Sequence, residues 1–204
     1  MNELRHDRCS SRRRQWATVS ETSEKVQTSV PSRNHLSTPD AVRRACRLEE
    51  WTTQTSGLAP GFAQANLVIL PRDDADEFRL FCELNPKPCP LLEVTEPGQV
   101  SPDRLASDAD LRTDLPMYRV WRSGQLTDEV TNISELWQDD FVSFLIGCSF
   151  TFEAALIADG IPVRHIELGC NVPMFRTNID CESAGRFHGP LVVSMRPLNP
   201  ADTS

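Results

Sequence analysis

Three residue types set in one short stretch are equipped for acid–base or acyl chemistry. In Phe141 to Gly160, an apolar run (Phe141 to Ile146) meets Gly147-Cys148-Ser149 and then a helical pattern stopped by Gly160. A strand, a tight turn and a helix start leave first-turn amides unpaired, with the positive end of the dipole beside them. Cys148 sits where a thiol pKa is lowered, Ser149 is placed to cap the helix, and Glu153 lies in its second turn. Downstream, Arg164-His165-Ile166-Glu167 reads as a strand after Pro162, with His165 and Glu167 on one face as an oriented general base. Arg112, Arg164, Arg176 and Arg196 each carry a fork that matches a carboxylate. Asn66, within an apolar run, and Asn178, beside Arg176, are further polar contacts for a ligand. Each feature also has a plainer account. Cys148 and Ser149 suit a buried thiol and a helix cap, the arginines suit surface ion pairs, and Asn66 suits a hydrogen bond within a sheet.

The elements that must position these groups follow from periodicity and turn signals. Ser37-Thr38-Pro39-Asp40 predicts a helix start, with apolar positions recurring to Trp51. Ala63 to Leu70 predicts a buried strand stopped by Pro71, followed by a helix capped by Asp73 or Asp74 and running to Leu84, with Phe78, Phe81 and Cys82 on one face. Leu91 to Thr95 predicts a strand. Tyr118 to Trp121 and Leu126 to Val130 predict a hairpin around Ser123-Gly124. Ser134 to Asp139 predicts a short helix. Phe141 to Ile146 predicts a central strand, Phe150 to Asp159 a helix, and Pro162 to Ile166, Met174 to Ile179 and Leu191 to Met195 three more strands. The pattern predicts an α/β fold: a mixed sheet flanked by short helices, with an inserted small α+β subdomain containing the hairpin, at 96–133.

Totals narrow the function classes. Residues 1–36 hold seven Lys/Arg and four Asp/Glu and lack apolar periodicity, which predicts a disordered extension. The overall charge of −8 leaves −11 on the remainder, a balance that disfavours nucleic acid. No apolar run approaches the ~20 residues that span a bilayer, so no membrane partner is expected. Seven cysteines without a CxxC pair suit a reducing compartment: the cytoplasm, or alternatively the mitochondrial matrix. No metal-ligand spacing and no cofactor motif is evident, and none is expected. The expected partner is a small acidic molecule, with a homo-oligomer compatible with the sequence.

Seven ordered blocks carry a resemblance. GFAQANLVILP (Gly61 to Pro71), FCELNPKPCPLLEVTEPG (Phe81 to Gly98), DLRTDLPMYRVW (Asp110 to Trp121) and FLIGCSFTFEAAL (Phe144 to Leu156) resemble successive motifs of the D-glutamate cyclase family. PVRHIE (Pro162 to Glu167), NVPMFRTNI (Asn171 to Ile179) and GPLVVSMRP (Gly189 to Pro197) continue them. The resemblance implies a hydro-lyase that interconverts D-glutamate and 5-oxo-D-proline with loss or gain of water. It also implies a domain over 37–204 that lacks the family's C-terminal part, whose further motifs would follow the VVSMRP block. That chemistry needs a carboxylate anchor, oxyanion donors and an acid/base. The arginines fit the anchor, Cys148-Ser149 the donors, and His165, Glu153 or Glu167 the proton transfers. Two other readings stand beside it: a non-catalytic truncated paralogue that binds an acidic amino acid or a protein partner, and a cysteine-dependent hydrolase centred on Cys148.

Overall fold

The computed structural model describes residues 35–200, so the expectation for the N-terminal extension falls almost wholly outside the described residues. The first helix, α1 (Pro39–Arg47), forms for the reasons its sequence states. Thr38 Oγ1 accepts from the Ala41 N–H at 3.3 Å, Pro39 opens the first turn, Asp40 faces the positive end, and Arg44 and Arg47 face the negative one. Its buried face, Ala45 and Cys46, packs with Leu36, Trp51 and Leu58 in a small core. That core fixes the loop leading from α1 toward the first strand.

Strand β1 (Ala65–Pro71) passes directly into α2 (Arg72–Leu84), and β2 (Leu91–Val94) follows after a proline-rich loop. The predicted central strand is β5 (Phe141–Gly147), which lies between β1 and β2 and pairs antiparallel with both. Its five interior residues are buried, and Phe144 is 0% exposed, edge-on to Phe78 of α2 at 4.9 Å. Ala75, Phe78 and Cys82 on α2 meet Val142, Phe144 and Ile146 on β5 to form the main core. The hairpin expected around Ser123-Gly124 is β3 (Tyr118–Arg122) and β4 (Gln125–Val130). Both turn residues have positive φ, 51° and 76°, which a tight hairpin of this hand requires.

After β5 come a 3₁₀ turn (Ser149–Phe152), α3 (Glu153–Ala158) and α4 (Arg164–Glu167), then the hairpin β6 (Met174–Asp180) and β7 (Pro190–Ser194). The molecule is mixed α/β with several small sheets and short helices. Instead of one mixed sheet, however, the described residues form three separate sheets, and every pairing within them is antiparallel.

Local readings also differ at four places. The strand starting at Ala63 begins at Ala65, lies at a sheet edge and is only half-buried. Helix α2 starts at Arg72 with Pro71 before it, so Asp73 and Asp74 lie in the first turn without capping it. The helix expected over Phe150 to Asp159 is split into a 3₁₀ turn and six α-helical residues. The strand expected at Pro162 to Ile166 is instead the helix α4. Four residues are too few for periodicity to separate the two, and Gly169 at φ 62° ends the helical turn.

Candidate functional site

The change from strand to helix at α4 decides where His165 points. On a strand it would share a face with Glu167. On the helix it turns inward, while Arg164 and Glu167 stay exposed and pair with each other at 3.2 Å. Its partner is Glu153, the first residue of α3, with His165 Nε2 3.1 Å from Glu153 Oε1. Both side chains are shut away from solvent, and the Glu153 residue is 1% exposed.

A buried carboxylate needs its remaining lone pairs met. Arg196, two residues beyond β7, supplies most of that need. Its Nε donates to Glu153 Oε1 at 3.0 Å, and its Nη2 meets the same oxygen. The rest of the guanidinium reaches Ser149 Oγ at 3.0 Å and Ser194 Oγ at 2.7 Å, and its carbon lies 4.8 Å over the Phe152 ring. The other carboxylate oxygen, Oε2, accepts from Ser56 Oγ at 2.7 Å, and that hydroxyl is also 3.3 Å from His165 Nε2. Phe150 stacks on the imidazole with centroids 6.4 Å apart.

The electrostatics follow from burial. Desolvation lowers the His165 pKa below its ordinary value, with Glu153 pulling upward and Arg196 downward. A neutral imidazole, a carboxylate and a guanidinium sum to zero charge, which is what a buried polar cluster tolerates. With Glu153 as acceptor, the neutral ring carries its proton on Nε2 and donates it to the carboxylate.

Beside this cluster is a cavity of about 200 Å³, walled by the loop from Gly57 to Phe62, by Gln64, and by Phe150, Thr151, Glu153, Ala154 and Ile157. Among the described residues, Glu153 is the one charged side chain in that wall.

Of the ten residues besides Glu167 singled out in the sequence, Ser149, Glu153, His165 and Arg196 come together here. Cys148 adjoins them, in extended backbone before the 3₁₀ turn. Burial raises its thiol pKa, against the expected lowering, and outweighs the help of the Phe150 N–H. Nor does Ser149 act as the expected cap; its hydroxyl goes to Arg196 and Ser194. A 3₁₀ turn and a six-residue helix also make a poorer anion site than the predicted three-turn helix. The other five residues are elsewhere. Arg112 pairs with Asp110 at 2.8 Å. Arg164 is tied to Glu167 as described. Arg176 and Asn178 are exposed on β6, and Asn66 is exposed on the edge strand β1, opposite Ile146, so it is not the buried amide its apolar neighbours suggested.

Two members were not legible as site residues: Ser194, within a quoted motif, and Ser56. Nothing in the spacing marks a serine that comes 97 residues before its carboxylate partner. Among the described residues no group of three or more His, Cys, Asp or Glu could hold a metal ion, and no helix is long and apolar enough to cross a membrane.

Fold and site together define a mixed α/β protein with a buried carboxylate–imidazole–guanidinium cluster at the edge of a small cavity. Residues 142–204 match the model of the D-glutamate cyclase family, a range that holds every member of the cluster except Ser56. Three curated relatives, all named "Putative hydro-lyase", are similar over most of this chain. That of Geobacillus kaustophilus is 61% identical over 156 residues, covering 76% of this chain and 59% of the relative. That of Bacillus licheniformis is 62% identical over 160 residues (78% and 61%), and that of Stutzerimonas stutzeri 59% identical over 160 residues (78% and 60%). The resemblance read from the sequence motifs is borne out: the chain is similar to the D-glutamate cyclase family over residues 142–204 and to these hydro-lyases over most of its length. It spans about three fifths of the length of these relatives.

Proposed function

We propose that the chain provides the acid–base centre of a hydro-lyase that interconverts D-glutamate and 5-oxo-D-proline. The observation that carries this reading is the Glu153–His165 pair, buried, held by Arg196 and bordering a cavity of small-molecule size.

The reaction balances with proton transfers alone. In cyclisation the amine nitrogen attacks the side-chain carboxyl carbon, a C–N bond forms, and one carboxyl oxygen leaves as water. The ammonium gives up two protons and the departing oxygen gains two. A paired carboxylate and imidazole can take a proton at nitrogen and return one at oxygen. Closing the ring without a second molecule also relies on holding the substrate bent, which a small cavity favours.

Charge sets the ligand's orientation. Because Glu153 is the charged group in the cavity wall, the amine or lactam nitrogen faces it, and the ligand's carboxylates point toward the mouth. Of the four arginines that could each anchor a carboxylate, Arg196 lies at the cluster, and its fork already holds Glu153, Ser149 and Ser194. That full occupancy favours a second reading, a binding protein without turnover. In either reading, residues 96–133 are an insertion that braces the scaffold, and six free cysteines among the described residues suit the cytoplasm or the mitochondrial matrix.

Calorimetric titration with D-glutamate and with 5-oxo-D-proline tests the site. Glu153→Gln and Arg196→Ala are expected to weaken binding of either ligand at least tenfold, and Arg112→Ala and Arg176→Ala to leave it unchanged. Binding that ignores Glu153 and Arg196 would place the ligand elsewhere.

A further inference from the structure

Ser56 is 0% exposed and comes from a part of the chain remote in sequence from the rest of the cluster. Its loop is pinned twice. Leu58 is buried in the α1 core, and Gln64 reaches back across the loop, with Nε2 donating to the Thr55 carbonyl at 3.2 Å and the Leu58 carbonyl at 3.1 Å. Gln64 Oε1 accepts from Thr55 Oγ1 at 2.7 Å, and the Gln64 N–H donates to Thr151 Oγ1 at 3.1 Å, on the 3₁₀ turn just before Glu153. One glutamine therefore grips both the loop that carries Ser56 and the turn that leads to Glu153.

We propose that Ser56, held by Gln64, is a positioning residue that sets the Glu153 carboxylate and the His165 ring against each other. The geometry supports this directly. Arg196 approaches Oε1, and Ser56 donates to Oε2, so the carboxylate is fixed at both ends and cannot rotate about its last bond. The same hydroxyl lies within reach of the imidazole nitrogen that faces Glu153. A buried hydroxyl bonded only to backbone would do none of this. Ser56 is closed to solvent and does not itself line the cavity, so its effect passes through Glu153 and His165.

The inference rests on the acid–base reading of this pair, yet its test does not require turnover. The charged groups that face His165 are Glu153 from α3 and Arg196 from beyond β7; those on its own helix, Arg164 and Glu167, are exposed and paired with each other. Removing the Ser56 hydroxyl takes a donor from the carboxylate, which strengthens its pull on the imidazole proton. That raises the His165 pKa.

The experiment is an NMR titration of the full chain labelled at histidine, with the resonance of His165 among the four histidines assigned through His165→Gln. Wild-type His165 is expected to titrate below the ordinary value. Ser56→Ala should raise the midpoint by about 0.5 pH or more, and Gln64→Ala, at a half-exposed position, should move it the same way. Ser56→Thr, which keeps the hydroxyl, should stay closer to wild type than Ser56→Ala. If Ser56→Ala does not fold, Gln64→Ala against wild type decides the matter. Midpoints unchanged in the variants that fold would overturn the proposal and leave Ser56 as a packing residue. A shifted midpoint in a chain that converts no substrate would uphold the positioning role and count against the hydro-lyase reading alone.

Discussion

His165 shows how a single residue's environment sets both its chemistry and a measurable property of the fold. Burial lowers its folded-state pKa, so the unfolded chain takes up the proton first as pH falls. Its neutral form therefore contributes stability that is fully present above the unfolded value of about 6.5. That contribution is lost as pH falls from there to the lower folded pKa, with a slope of at most about 1.4 kcal/mol per pH across the window. Denaturant titrations between pH 8 and pH 5 should show wild-type stability declining across this window. His165→Gln should remove that part of the decline; an identical slope in both proteins would contradict the assignment. The identity of His165 and Glu153 as candidates was legible in the sequence, because acid–base residues stood beside turns and apolar runs. The pairing was not. It depended on α4 being a helix, and its four residues contain too little pattern to show that.

At the scale of elements, the packing of α2 on β5 is the clearest link between sequence and stability. Phe144 was legible as core because five of the six residues from Phe141 to Ile146 are apolar, without strict alternation, the mark of a strand covered on both faces. Phe144→Ala is expected to cost about 3–5 kcal/mol in equilibrium unfolding, through lost burial and the cavity left against Phe78. A cost under about 1 kcal/mol would mean the core collapses to fill it. Gly98 is a second test. Its φ is +76°, and a Cβ there would sit 2.7 Å from the Asp139 carbonyl oxygen, while its own N–H donates to Phe141 at the start of β5. Gly98→Ala should destabilise by about 1–3 kcal/mol. The hairpin β3–β4 was equally readable, since its turn residues declare themselves. Sheet membership was not: sequence patterns identify strands but not their neighbours, and the single mixed sheet expected from strand–helix alternation is three antiparallel ones.

At the scale of the whole molecule, the cluster is assembled from three distant parts of the chain: the loop before β1, the α3–α4 segment and the end of β7. The small core around α1 holds the first, the β5 turn carries the second, and the last hairpin delivers Arg196. This explains why Arg112, Arg164 and Arg176, each credible as a carboxylate anchor in sequence, lie apart while Arg196 does not. On the proposed reading, the Glu153–His165 centre drives lactam formation and hydrolysis. The most direct test is to incubate the chain with 5-oxo-D-proline in ¹⁸O-labelled water and follow D-glutamate by mass spectrometry. D-glutamate carrying one ¹⁸O in its side-chain carboxylate is expected from the wild-type chain, reduced at least a hundredfold in Glu153→Gln. Unlabelled product, no product from the wild type, or equal product from Glu153→Gln would contradict it.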